Sequence, residues 1–145
     1  MNKHDYRFFE FARQEAEKSD FERFHLGCII TYKNHIIGRG CNGLKTDPAQ
    51  KRYNRKRNFS ADTKGKPIKH SRHAEITALK SIPYPIASTI DWSKVKVYVY
   101  RVSPGNPLGY SLARPCKACM KAIRDKGITK IYYTTQDGFA QERVF

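Results

Sequence analysis

Four side chains in this chain could do chemistry together. His73 and Glu75 stand two residues apart, and Cys116 and Cys119 stand three apart behind Pro115. One imidazole and two thiols are a donor set that zinc accepts, and the glutamate is a carboxylate that need not ligate. Cysteines at i and i+3 project from one side of a helical turn, and a helix N-terminus lowers thiol pKa toward the metal-binding thiolate. Two thiolates balance the charge of zinc, and three protein ligands leave a fourth position open, as in catalytic rather than structural sites. Cys28, Cys41 and His70 are the spare candidates for closing such a site. Zinc held this way makes a nucleophile from water near neutral pH. A neighbouring carboxylate can take a proton from that water and pass it to a ring nitrogen and a departing amine. Amidine-type ring carbons suit this apparatus.

These four residues need elements to hold them. Residues 4–18 have helical periodicity, with Phe8, Phe9, Ala12 and Ala16 on one face, and such a stripe serves core packing. His25–Tyr32 and His35–Cys41 read as strands joined by a tight turn at Lys33-Asn34. Cys28 and Cys41 lie on them as small buried hydrophobes, and His25 and His35 as ordinary strand-end histidines. Asn42-Gly43 follows the second strand; a turn dipeptide explains it, but strand ends of α/β sheets are also where ligands bind. A short helix is expected near 48–57. The spacing predicts a helix over 71–82, with Ser71 as N-cap and Pro83 as stop, which puts His73 and Glu75 in its first turn. Val95, Val97 and Val99 mark a strand, and 102–114 an irregular rim. Pro115 opens the cysteine helix, Gly127 caps it, and Ile128–Thr134 forms another strand. Asp137-Gly138 then predicts a hairpin, with 139–145 returning antiparallel.

The 145 residues suit one domain, with no internal repeat. A hydrophobic share of 39% supports a real core and argues against global disorder. No apolar run is long enough to cross a bilayer, and the charged N-terminal segment lacks an apolar signal core, so a cytoplasmic protein without a membrane role is expected. In a reducing compartment a Cys-x-x-Cys binds metal more often than it forms a disulfide. The formal net charge is +15, of which the 43–72 insert carries +8 from ten basic and two acidic residues. Arg52, Arg55 and Arg57 belong to it, with Tyr53 and Phe59 interleaved. That composition suits a surface for phosphates and bases, the plainer alternative being a solvated loop.

The pattern H-x-E … P-C-x-x-C, with Gly27-Cys28-Ile29-Ile30 and Gly38-Arg39-Gly40-Cys41-Asn42-Gly43 upstream, resembles the zinc-dependent cytidine/deoxycytidylate deaminase superfamily from about Leu26 to Thr134. The resemblance implies a three-layer α/β/α fold with a mixed sheet of about five strands and both zinc helices on one face. It implies His73, Cys116 and Cys119 as zinc ligands and Glu75 as proton shuttle. It further implies Asn42 as a contact to base or sugar, and the Ala74 backbone as a group orienting the base. Arg114 stands before the proline, where many relatives carry a small, polar or acidic residue. It would place a guanidinium near a substrate phosphate or decorate the rim. Relatives acting on nucleotides and polynucleotides usually have a helix between the last two strands, where this chain has Asp137-Gly138.

The reading that follows is hydrolytic deamination of cytosine to uracil on a phosphate-bearing substrate, leaning to single-stranded DNA or RNA because of the basic segment. A free-nucleotide (dCMP or cytidine) deaminase is the alternative. A tRNA adenosine deaminase and a non-catalytic zinc-stabilised nucleic-acid-binding module are weaker ones. Both a monomer and a homo-oligomer are compatible with these residues.

Overall fold

The computed structural model describes residues 1–56 and 71–144. A mixed sheet of six strands lies between helical layers. The strands are β1 (His25–Tyr32), β2 (His35–Cys41), β3 (Val95–Val102), β4 (Tyr110–Ser111), β5 (Lys130–Thr134) and β6 (Phe139–Arg143). Their order is β2-β1-β3-β5-β6, with β4 on the end of β3. Among the described strands the one parallel pairing is β3 with β5; β1 pairs antiparallel with both β2 and β3, and β6 with β5. The helices are α1 (Lys3–Ala16), α2 (Pro48–Lys56), α3 (Ala74–Ser81), the single turn α4 (Tyr84–Ala87) and α5 (Lys117–Asp125). None of the described helices is long and apolar enough to cross a membrane.

Alternation along β1 divides the core. Ile29 faces α1, joining Phe8, Phe9 and Ala12 with the β3 and β5 tyrosines Tyr98 and Tyr132. Cys28 and Ile30 face the other way, toward Ala74 and Ala78 of α3 and Ile123 of α5. Two glycines let the helices come close. A Cβ on Gly27 would stand 2.0 Å from the Ala12 carbonyl oxygen, and one on Gly40 would stand 2.7 Å from the Ala78 backbone nitrogen. Each helix therefore rests on the sheet at backbone distance, α1 on one side and α3 on the other. A buried hydrogen bond of 2.5 Å from the Tyr98 hydroxyl to Asp5 pins α1 to β3.

The expected hairpins are present. Lys33 and Asn34 both adopt positive φ, 50° and 64°, the two left-handed residues that a two-residue turn between twisted strands demands. The last two strands form the antiparallel hairpin that Asp137-Gly138 signals. At the end of α5, Gly127 has φ +94°, and the amides of Gly127 and Ile128 reach back to the carbonyls of Arg124 and Ile123. The following strand starts at Lys130 rather than Ile128, because Ile128 is spent closing the helix.

Three further expectations are corrected. Ser71 is not the N-cap of α3. It forms an isolated bridge with Thr46, so the chain stays extended until His73, which occupies the N-cap without a capping side-chain bond. Likewise Cys116, not Pro115, opens α5. The rim at 102–114 contains β4, which extends the sheet to six strands.

Candidate metal centre and adjoining cavity

The N-termini of α3 and α5 meet on one face of the sheet, bringing the histidine pair and the cysteine pair together. His73 Nδ1 lies 3.6 Å from Cys116 Sγ and 3.4 Å from Cys119 Sγ. The three donor atoms all lie within 4.8 Å of one another, and they form the one such His/Cys/Asp/Glu group among the described residues. A tetrahedral zinc with bonds of about 2.3 Å to sulfur and 2.05 Å to nitrogen requires an S···N separation of about 3.6 Å. The donors therefore already stand at zinc-binding spacing, and these residues fit the ion. All four cysteines are free; Cys28 is buried in the core and Cys41 half-buried on β2.

The local electrostatics bind the donors into a set. The Cys116 thiol is pulled down to about 4, first because Cys119 donates to its sulfur, with His73 adding to the effect against the cost of burial. Cys119 is pushed up for the complementary reason and by burial. Burial pulls the His73 ring down, but its hydrogen bond to Cys116 and the nearby Glu75 charge outweigh that and leave it raised. Glu75 is only 5% exposed, and burial raises its carboxyl pKa despite the opposing pull of His73.

The chain around the donors is held from two sides. Asp47 caps α2 by accepting from the Ala49 amide at 2.8 Å, and Lys80 of α3 donates to both its oxygens at 3.1 Å. One turn on, fully buried Gln50 accepts the His73 backbone N–H at 3.3 Å while its own amide donates to Asn54 at 2.9 Å. On the cysteine side, the buried Thr134 hydroxyl accepts from the Arg101 amide and donates to the Ser111 carbonyl, and the Thr134 carbonyl accepts from the Ala113 amide. Residues 111–113 are thus fixed to β5 just before Pro115-Cys116. Partners that orient ligating residues typically change metal affinity 10- to 100-fold when removed. Gln50→Ala should therefore weaken zinc binding about tenfold. Competition against a chromophoric chelator measures this, and an unchanged affinity would show that α2 does not position the histidine.

A cavity of about 260 Å³ opens beside the donors, lined by His73, Glu75 and Cys116 on its floor and by Phe21, Phe24 and Leu26 on a wall. Asn42 also lines it, but its side chain is largely engaged. Its Oδ1 accepts from Ser19 Oγ at 2.6 Å and the Leu26 amide at 2.9 Å, and its Nδ2 donates to the Phe24 carbonyl at 3.0 Å. One Nδ2 hydrogen is left for a ligand. Ala74 is the first residue of α3, where backbone N–H groups lack intrahelical acceptors. Arg114 reaches the rim, held by Glu142 through Nε at 2.9 Å and Nη2 at 2.7 Å. Arg52 lies elsewhere. Its guanidinium sits 5.3 Å over the Tyr53 ring and lines a separate cleft with Ile76 and Ala122. Arg57 and the side chain of Arg55 lie outside the described residues.

Two arginines that sequence reasoning did not single out complete the cavity. Arg101 lies 4.9 Å over the Phe24 ring, so cation and aromatic wall support each other. Arg72 immediately precedes His73, and its Nε is the one buried side-chain nitrogen or oxygen among the described residues without a partner. Its position next to the histidine was a usable signal, but it merged into the run of basic residues around it. Arg101 gave none, because only the folded sheet brings the end of β3 to this cavity.

A family model described as the cytidine and deoxycytidylate deaminase zinc-binding region matches residues 2–135. No curated protein sequence matches the chain. Among solved structures, dCMP deaminase from the cyanophage S-TIM5, in complex with dCMP and dUMP, is similar with a TM-score of 0.58 and 20% identity. That match covers 93% of this chain and 84% of the phage chain. Cytidine deaminase from Burkholderia pseudomallei gives a TM-score of 0.61 at 17% identity, covering 99% of this chain and 94% of the other. Acinetobacter baumannii RibD gives 0.51 at 16% identity, covering 92% of this chain and 28% of that one. At these identities the structural likeness speaks for the fold, and it agrees with the open mixed sheet described above.

Proposed function

Since the chain belongs to the cytidine and deoxycytidylate deaminase zinc-binding family, we propose that it hydrolytically deaminates the cytosine of a phosphate-bearing substrate. The observation that carries this reading is the placement of Glu75, a buried carboxylate sharing a cavity floor with two of the three zinc donors. His73, Cys116 and Cys119 would hold the ion. Zinc bound there supplies water activated near neutral pH. The Glu75 carboxylate takes one proton from the attacking water and delivers it to N3 of the ring, then takes the second from the new hydroxyl on C4 and delivers it to the exocyclic amine as the C–N bond breaks; uracil and ammonia result.

The rest of the cavity binds and orients. Phe24 and Leu26 offer an apolar wall to the pyrimidine. Ala74 is fully buried and does not line the cavity, so the base is oriented by the residues that do. Asn42 holds the Phe24 segment in place and has one N–H left for base or sugar. Arg72, Arg101 and Arg114 line the same cavity, so a phosphate attached to the nucleoside meets guanidinium groups there. The unpartnered Nε of Arg72 is the donor most in want of an acceptor.

The phosphate requirement is directly testable. Zinc-loaded protein offered cytidine, deoxycytidylate, a cytosine-containing oligonucleotide and tRNA should convert the phosphate-bearing cytosine substrates far faster than cytidine. Equal rates on cytidine would remove the role given to the arginines, and conversion of adenosine in tRNA alone would replace cytosine as the substrate.

A further inference from the structure

The last hairpin brings a carboxylate to the cavity rim. Strands β5 and β6 pair with Ile131 opposite Glu142 and Tyr133 opposite Ala140, so Tyr133 and Glu142 are diagonal neighbours on one face of the sheet. That face packs against the zinc helices, because Ile131 and Tyr133 share a core cluster with Ala74 and Ile123. The Tyr133 hydroxyl donates to Glu142 Oε2 at 2.8 Å, and Glu142 accepts from Arg114 through Nε at 2.9 Å and Nη2 at 2.7 Å. A buried tyrosine thus anchors the carboxylate, and the carboxylate grips one edge of the guanidinium as a fork. The Nη1 end takes no part in that grip, and Arg114 lines the central cavity two residues before Cys116.

Two effects of Glu142 on an anion at the rim oppose each other. Its charge offsets that of Arg114, but with side-chain exposures of 50% for Arg114 and 30% for Glu142 the pair is screened by solvent and salt. Its grip also orders the arginine, which would otherwise surrender many rotamers on meeting a ligand. The second effect is the larger one for an exposed, doubly bonded pair. We propose that Glu142 is a positioning residue: it holds Arg114 with the Nη1 end toward the substrate phosphate, and so sets the preference for phosphate-bearing over unphosphorylated cytosine nucleosides. This rests on the reading of a phosphate-bearing substrate above and assigns part of it to the C-terminal hairpin. Tyr133 acts one step further back, by holding Glu142.

Steady-state kinetics with deoxycytidylate and cytidine test the role on zinc-loaded wild type, Glu142→Ala, Arg114→Ala and the double variant. In Glu142→Ala, KM for deoxycytidylate should rise about fivefold, the scale of one long side chain released from its hold, with kcat within about twofold. The ratio of kcat/KM for deoxycytidylate to that for cytidine should fall by the same factor. Arg114→Ala should lower that ratio at least as far, and adding Glu142→Ala to it should lower it no further, since Glu142 acts through the arginine. Tyr133→Phe keeps the core ring and should shift the ratio the same way by about twofold, and it carries the test should Glu142→Ala fold poorly. A lower KM for deoxycytidylate in Glu142→Ala would overturn the proposal, because the carboxylate would then act only as an opposing charge. Equal losses on both substrates, or loss of zinc from the variant, would also overturn it by giving Glu142 a purely structural hold on the cysteine helix. Failure of the underlying reading shows in wild type instead: if neither substrate turns over, calorimetric binding of deoxycytidylate against cytidine in the same variants still decides the positioning role.

Discussion

Zinc-loaded Glu75→Gln protein should keep its metal and its fold while turnover falls about 10³-fold or more, at the upper range of what a positioned general acid–base contributes. Glutamine has the same shape, so the buried side chain still fills its place beside Ala74 and Ile76. What it lacks is the ability to accept and return a proton. Burying an ionisable carboxyl is costly, and burial is the main cause of the raised pKa of Glu75, so a neutral amide there should cost no stability. Loss of activity with intact zinc content and unchanged melting temperature therefore isolates proton transfer. Metal analysis, calorimetry and product mass on one sample decide it, and a Glu75→Gln enzyme within tenfold of wild type would assign the proton work to another group.

The second large effect concerns the donors. Cys116→Ala should abolish stoichiometric zinc binding, because one histidine and one thiolate remain where three donors stood. Affinity should drop by about 10³-fold or more, as loss of a thiolate–zinc bond removes several kcal/mol of binding energy. Cys119→Ala should do the same and also lower stability by about 1 kcal/mol without metal, since the fully buried sulfur packs with Ile76 and Ala122. Zinc should raise the melting temperature of wild type by linkage and leave both variants unmoved. A Cys116→Ala protein that still binds one zinc with wild-type affinity would contradict the donor set.

Much of the site was legible because its spacing is local. H-x-E and P-C-x-x-C each lie at one helix start, and the folded chain only had to bring two helix ends together. The strand pair His25–Tyr32 and His35–Cys41 was legible for the same reason, alternation plus a turn. What escaped depends on contacts between distant segments. The start of α3 moved from Ser71 to His73 because Thr46 and Gln50, more than twenty residues earlier, hold the approach extended. Strand β4 is two residues long and exists only against the end of β3. Arg101 and Arg72 became cavity residues through sheet order and through the extended approach to α3, neither of which has a periodic signature.

The basic segment illustrates the opposite risk. Its composition drew Arg52 toward the substrate, yet α2 packs against α5 through Ala49 and Tyr53, and Arg52 ends on a different cleft. Charge density predicted a phosphate-binding surface without saying which elements carry it. Of the described cations nearest the chemistry, only Arg72 belongs to the segment, at its last position; Arg101 comes from β3 and Arg114 from the approach to Pro115.

The most direct measurement is a chelator-reversal assay on a cytosine-bearing phosphate substrate, with product identified by mass. Deoxycytidylate and a cytosine-containing oligonucleotide, each incubated with wild-type protein, should show an amino group replaced by a hydroxyl. The conversion should stop on zinc removal, return on zinc addition, and never appear with Glu75→Gln. Cytosine left intact in both substrates by fully zinc-loaded wild type, or conversion that persists without the metal, would contradict zinc-dependent cytosine deamination by this chain.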